Sequence, residues 1–212
     1  MAAKFPAKGL FSPRPPEAKF SLANIVTYIR LALSLGFFIT AIQTRDPLYN
    51  YIGLGIHWLG DVLDGWIART FKQETLFGAE IDIIADRVEI LFFFVIFLFF
   101  RPFLFLPVAL YVIDFAFADF YLSYQFLKYG LISPNYFYKV DRRVFQLNYS
   151  PGGKFANSTV VTLWLIFLPR FWGVAAAMAL LLIGIKIYSI RRLHKRSQAD
   201  MYKRNSREDR KK

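Results

Sequence analysis

Cysteine is absent from the 212 residues. Disulfides, thiolate nucleophiles and thiolate metal sites are therefore excluded, and redox compartment cannot be read from the chain. Histidine is almost absent: His57 and His194 are the only two, too few for a histidine-rich metal centre. Acidic residues are scarce, 15 against 27 Lys and Arg, which leaves a net charge of +12. No internal repeat or low-complexity segment is present. The first twenty residues carry four prolines (Pro6, Pro13, Pro15, Pro16) and no apolar run beyond Leu10-Phe11. The first apolar block then runs past Gly36 to Ile42 without a small-residue cleavage pattern. A cleavable signal is thus not expected, and the block reads as a retained membrane helix.

What the chain does contain is apolar and aromatic. It is 56% hydrophobic and 19% aromatic, with 24 Phe and a mean hydropathy of +0.34. Soluble domains are less apolar than this. Apolar blocks separated by basic segments point to an integral membrane protein whose loops meet anionic lipid. Nucleic acid is not the expected partner, because the charges lie between long apolar blocks rather than on one soluble face.

A spanning helix needs about 20 mostly apolar residues. Six blocks approach this length, at about 25–43, 48–68, 82–100, 107–127, 155–169 and 171–190. The fifth is short and needs tilt or local thinning of the bilayer. The expected fold is an all-α integral membrane protein with six transmembrane helices, both termini cytoplasmic, and a short N-terminal interfacial segment. Charge supports this topology. Segments 1–20, 69–80, 128–154 and 191–212 hold 21 of the 27 Lys and Arg, whereas the opposite side carries Arg45, Arg101 and Arg170. Such asymmetry sets orientation. The expected organisation is a basic arm and interfacial segment over 1–24, a six-helix catalytic domain over 25–190, and a basic cytoplasmic tail over 191–212. The tail reads as a solvated charge run that anionic lipid can attract.

Carboxylates are costly in lipid and mark functional sites. Here four are clustered at fixed gaps. Asp61 and Asp64 lie three apart, Asp82 and Asp86 four apart, so each pair projects from one helix face. The connection between Arg69 and Gly78 is short enough to fold the two helices back on each other and bring the faces together. Four converging carboxylates resist joint ionisation unless a strong positive charge sits among them. Two Mg²⁺ or Mn²⁺ ions are the expected cofactors, since hard cations prefer oxygen ligands and combine carboxylates with substrate phosphates. Gly65, Ala68 and Gly78 permit close helix or ligand approach, and Arg69 offers a fork of donors to a phosphate. Intramembrane aspartates also serve ion and proton paths, so a small cation-coupled transporter is the competing reading.

Written out, residues 61–86 read D-x2-D-G-x2-A-R-x8-G-x3-D-x3-D. This matches the signature of the CDP-alcohol phosphotransferase family at every specified position. Asn24-Ile25-Val26-Thr27-Tyr28-Ile29-Arg30-Leu31 resembles the N-x2-T-x2-R-L segment that often opens bacterial members, and Gly153-Lys154 resembles a basic loop of the phosphatidylglycerophosphate synthase branch. The resemblance implies transfer of a phosphatidyl group from CDP-diacylglycerol to a small alcohol with release of CMP, in phospholipid biosynthesis. It implies metal binding by Asp61, Asp64 and Asp82, with Asp86 as general base sharing in metal binding. Gly65, Ala68, Arg69 and Gly78 would line the donor's cytidine diphosphate pocket. It further implies a homodimer in a bacterial cytoplasmic membrane, with the active site facing the cytoplasm.

The acceptor is less constrained. Arg30, Arg87, Arg142, Arg143 and Lys154 are candidates for binding an anionic acceptor, or are topogenic and headgroup-contacting charges. Glycerol 3-phosphate is favoured by the basic loop. Inositol or inositol phosphate stays open, because Phe77-Gly78-Ala79 and Asp86-Arg87 resemble the inositol branch. The chain reads Asp82-Ile83-Ile84-Ala85-Asp86-Arg87 where glycerol phosphate enzymes commonly show D-P-x-x-A-D-K, and Ile83 disfavours serine. Asp114 and Asp119, five apart, are not expected to share a narrow helix face; one can bind an acceptor hydroxyl and the other a neighbouring helix, and structural pairing is an equal reading. His57, one turn before Asp61, reads as packing or as support for a metal ligand. The aromatic run Leu91–Phe100 reads as lipid-facing or interhelical packing.

Overall fold

The computed structural model describes residues 19–209, with side chains through Gln198. The expected arm over residues 1–18 lies outside the described residues. All regular elements among those described are helical. Helix α1 spans Leu22–Thr44, α2 Pro47–Thr70 and α3 Leu76–Phe100. A distorted fourth rod joins α4 (Phe105–Ile113), a π-helical turn (Asp114–Asp119) and α5 (Phe120–Lys128). After a 3₁₀ turn at Pro134–Lys139 come α6 (Arg142–Asn148) and α7 (Pro151–Phe155), a second π turn (Ala156–Val160), and α8 (Val161–Phe167). Helix α9 is continuous over Trp172–Asp209. The six apolar blocks thus coincide with six helical rods, while α9 carries on through the expected tail.

Among the described residues, three rods are long and apolar enough to cross a membrane: Leu22–Thr44, Pro102–Lys128 and Pro169–Gln198. Helix α3 is as long but carries Asp86, Arg87 and Glu89, charges an ordinary spanning segment lacks. Large apolar side chains ring the outside; Ile29, Val95, Phe117 and Leu181 are more than half exposed. Monomeric soluble proteins rarely present so much contiguous apolar surface.

Local chemistry sets the helix ends. Ser21 caps α1 by accepting from the Asn24 amide, and Thr75 caps α3 by accepting from Gly78, as small hydroxyl residues do at N-caps. Asp46 caps α2 with Pro47 at its first position, a place where proline's missing N–H costs nothing. At the far end of the rods, Arg101 donates to Leu165 and Ile166 carbonyls, satisfying the open end of α8.

Packing divides in two. The larger cluster joins Phe38 and Ala41 of α1, Leu54 of α2, Phe93, Phe94 and Phe97 of α3, Tyr111, Leu165 and Ala179. The aromatic run is therefore split by face: Phe93, Phe94 and Phe97 are buried, with Phe93 stacked on Phe97 and Phe94 edge-on to both, while Phe92, Val95 and Phe99 face outward. Gly53 lies against the Phe38 ring, leaving no room for a Cβ, so α1 and α2 approach closely. The smaller cluster (Ile83, Leu122, Phe126, Phe137, Val144, Leu193) packs the 128–154 connection under α3, α5 and α9. That connection is a folded cap rather than a loose loop. Asp141 begins α6 as its N-cap and pairs with Arg192 of α9 at 2.7 Å, pinning it to the last helix.

Candidate active site

Helices α1, α2 and α3 each present a polar stripe to the same space. On α1 the stripe is Asn24, Thr27 and Arg30, spaced by three. On α2 it is His57, Asp61 and Asp64. On α3 it is Asp82, Asp86 and Glu89, with the same four-then-three spacing as α2. These intervals keep each set on one helical face. The Gln73 amide oxygen accepts from Ala23 N at 3.3 Å, fastening the α2–α3 turn to the start of α1.

The stripes meet at the Arg30 guanidinium, whose side chain is 1% exposed. Its Nη2 donates to Asp86 at 3.0 Å and Asp82 at 3.3 Å. Its Nη1 lies 3.6 Å from Asp61 and 3.9 Å from Asp64, and Nε lies 3.4 Å from Glu89. All four motif aspartates therefore converge, as their spacing predicts. A Cβ on Gly60 would strike the Arg30 stem, 2.9 Å from its Cβ, so only a glycine at 60 leaves this space. Thr27 donates to Asp64 Oδ2 at 2.8 Å and fixes that carboxylate. His57 Nδ1 lies 2.9 Å from Glu89 and 4.0 Å from Asp86; it is buried and supports the carboxylates rather than standing in an interfacial position.

A cavity of about 210 Å³ opens over this centre. Asp61, Asp64, Asp82 and Asp86 line it, as do Gly65, Ala68, Arg69 and Gly78. A Cβ on Gly78 would sit 2.8 Å from Asn24 Oδ1, which accounts for glycine there. One oxygen each from Asp61, Asp64 and Asp82 can be drawn within 4.8 Å of one another, as can ligand atoms of His57, Asp86 and Glu89. The first set is all hard oxygen, with partial solvent access at Asp61 and Asp82. That donor set fits Mg²⁺ or Mn²⁺.

The cavity extends past Asp86 to the two π turns, where Arg87, Asp114, Asp119, Asn148, Lys154 and Asn157 line it. A π turn often marks a functional site. Here the first one brings Asp114 and Asp119 to a common cavity although an α-helix would separate them. Their roles divide. Asp119 receives hydrogen bonds from both Arg87 of α3 and Lys186 of α9, while Asp114 is buried with Oδ1 unpartnered. Arg87 also lies over the Phe115 ring at 3.9 Å, a cation–π contact. The second π turn frees carbonyls at Asn157 and Ser158, and Tyr111 donates to both, at 3.0 and 3.1 Å.

Of the five basic acceptor candidates, Arg87 and Lys154 line the cavity. Arg30 lies beneath it, held by carboxylates. Arg142 and Arg143 are exposed and stand outside the lining, because the Asp141 cap turns α6 so that Val144 and Asn148 face inward. Glu89 was not legible as a site residue from the signature alone; its four-then-three spacing after Asp82 and Asp86 is the signal that could have found it. At the mouth, the Tyr136 hydroxyl donates to Glu74 at 2.6 Å. That bond pushes its pKa up to about 12.

The apolar helical rods and the buried acidic centre define an integral membrane protein with a cluster of carboxylates at its core. A family model described as CDP-alcohol phosphatidyltransferase matches residues 20–186, and the chain belongs to that family, whose members are metal-dependent transferases of phospholipid biosynthesis. An Arabidopsis thaliana CDP-diacylglycerol–inositol 3-phosphatidyltransferase is 35% identical over 79 residues, 36% of this chain and 34% of that protein. A Cereibacter sphaeroides CDP-diacylglycerol–glycerol-3-phosphate 3-phosphatidyltransferase is 34% identical over 97 residues, 43% of this chain and 44% of that protein. A Candida albicans CDP-diacylglycerol–inositol 3-phosphatidyltransferase is 33% identical over 66 residues, 31% of this chain and 28% of that protein. The chain thus spans less than half the length of these curated relatives. No solved structure matches it. The cation-coupled transporter reading has no support in these comparisons.

Proposed function

We propose that this protein is a membrane phosphatidyltransferase. It moves the phosphatidyl group of CDP-diacylglycerol to a small alcohol and releases CMP. Relatives named for glycerol 3-phosphate and for inositol both match, and these are the two acceptors considered. The observation that carries the reading is the convergence of Asp61, Asp64, Asp82 and Asp86 beneath a cavity lined by Gly65, Ala68, Arg69 and Gly78.

Asp61, Asp64, Asp82 and Asp86 would hold two Mg²⁺ or Mn²⁺ ions. Bound there, such ions supply positive charge that offsets the donor diphosphate and the leaving CMP. Arg69 donates to the diphosphate, and Gly65, Ala68 and Gly78 let the donor's cytidine end lie close to the backbone. Thr27 keeps Asp64 turned inward. Asp86, which lines the cavity, accepts the proton of the attacking hydroxyl. Arg30 holds Asp82 and Asp86 in register for that task. Six spans with both termini cytoplasmic place this centre near the cytoplasmic boundary of a bacterial membrane, where a soluble head and lipid tails can both be accommodated. A homodimer follows the family's habit.

The test is CMP release by purified protein given CDP-diacylglycerol, Mg²⁺ or Mn²⁺, and each alcohol. Wild type is expected to release CMP only with metal and acceptor present. Asp86→Asn should lower turnover about 10²–10⁴-fold, the range of a lost general base, with unchanged membrane insertion. Wild-type-like turnover by that variant refutes the base assignment, and metal-independent CMP release refutes the ligand set.

A further inference from the structure

Glu89 is the acidic residue of the centre that the signature does not specify. It stands on α3 one turn beyond Asp86 and is 0% exposed. Unlike the four motif aspartates, it is not among the residues that line the cavity, so a substrate held there does not reach it. Ile90 and Phe93, close to it on α3, belong to the apolar core. Well-packed apolar side chains in place of a buried ion pair are often as stable or more so. Stability alone therefore does not account for a carboxylate at this position.

Its close contacts fall on one oxygen. Glu89 Oε2 lies 2.9 Å from His57 Nδ1 and 3.4 Å from Arg30 Nε. An ionised carboxylate only accepts, so His57 carries a proton on Nδ1 and donates it to Glu89. The same two groups face Asp86. Arg30 Nη2 donates to Asp86 Oδ1 at 3.0 Å, and His57 Nδ1 lies 4.0 Å from that oxygen. Glu89 and Asp86 are thus joined through two shared neighbours. The guanidinium is a rigid planar fork. Gly60 packs against its stem, and Glu89 draws its Nε edge. Held at both places, the fork presents Nη1 to Asp61 and Asp64 and Nη2 to Asp82 and Asp86. Those four carboxylates are the proposed ion ligands, whose charge is shared once an ion is bound. Glu89 stands outside that set, so its hold on Arg30 does not depend on what fills the cavity.

We infer that Glu89 is a positioning residue for the transfer step. It acts through Arg30 and His57 on Asp86, keeping that carboxylate aimed at the attacking hydroxyl. It also restrains Arg30 from moving in among Asp61, Asp64 and Asp82 in place of a cation. The inference rests on the phosphatidyltransferase reading above and adds to it a residue that the signature leaves out and that no substrate touches.

The experiment compares wild type, Glu89→Gln and Glu89→Asp as full-length protein in lipid nanodiscs. Mn²⁺ is titrated by electron paramagnetic resonance without substrate. CMP release from CDP-diacylglycerol is then measured at saturating Mn²⁺ with myo-inositol and with glycerol 3-phosphate. Glu89→Gln keeps the shape and removes the charge. It is expected to weaken Mn²⁺ binding and to lower kcat, each about 10–100-fold, the range for losing a group that orients a metal ligand, with KM for donor and acceptor unchanged. Glu89→Asp keeps the charge but withdraws it by one methylene. Its Mn²⁺ affinity should stay near that of wild type while kcat falls about tenfold, because a displacement of order 1 Å in a positioning group is felt in the rate. In an Asp86→Asn background, Glu89→Gln should lower kcat no further, since the group it positions is gone. Wild-type kcat and Mn²⁺ affinity in Glu89→Gln overturn the inference and leave the transferase reading standing. So does an undiminished further loss of kcat beside Asp86→Asn, or a raised KM with unchanged kcat. If Glu89→Gln does not fold, Glu89→Asp decides, and wild-type kcat in that variant overturns the positioning role. If wild type releases no CMP, the transferase reading fails, and unchanged Mn²⁺ affinity in Glu89→Gln is then the result that overturns the role of Glu89.

Discussion

At the scale of single residues, Arg30 has the most to explain. It occupies the centre that the four aspartates and Glu89 surround, so the protein carries its own counter-charge. Removing one partner of a buried charge group leaves the others uncompensated and costs of order 3–5 kcal/mol. Arg30→Met is therefore expected to lower the thermal midpoint sharply in EDTA, and much less at saturating Mn²⁺, because an added cation restores the missing charge. Equal destabilisation in both conditions would show that Arg30 acts through packing alone. The aspartates were legible in the sequence because their spacing fixes a helix face. Arg30 was read there as an acceptor-binding candidate, since spacing identifies a face but not what stands opposite it.

At the scale of elements, the two π turns supply part of the cavity wall. Each breaks the regular hydrogen-bond ladder and needs a substitute partner for the carbonyls it frees. Tyr111 supplies one from α4 to the turn at Ala156–Val160. Tyr111→Phe removes the phenol's bond to the buried Asn157 carbonyl, while Thr162 still donates to Ser158, and should cost about 1–3 kcal/mol, seen as a lower midpoint in thermal unfolding. An unchanged midpoint would mean that water replaces the phenol. Helix existence was legible from apolar block length, and all six blocks match helical rods. The π turns were not, since in a stretch apolar on nearly every side a shift of phase by one residue has no residue signature of its own. The fold of the 128–154 connection was also hidden, because its order depends on distant contacts such as Asp141 with Arg192.

At the scale of the whole molecule, three of the rods, α1, α2 and α3, enclose the acidic centre, and apolar side chains cover the outer faces of the bundle. The native chain lacks cysteine, so single-cysteine labelling can test the six-span topology without background. Lys139→Cys is expected to react with an impermeant maleimide from the cytoplasmic side, and Leu48→Cys and Phe103→Cys from the opposite side. Labelling of all three from one face would overturn that topology. The order of apolar blocks, the charge asymmetry and the aspartate signature lie in the sequence itself, because membrane burial and helix periodicity act on neighbours along the chain. Folding alone decided that Arg30 sits among the carboxylates, that Asp119 is tied down while Asp114 is left open, and that Arg142 and Arg143 face away from the cavity. Those outcomes depend on which helix faces meet, and contact between residues far apart in sequence exists only once the bundle has packed.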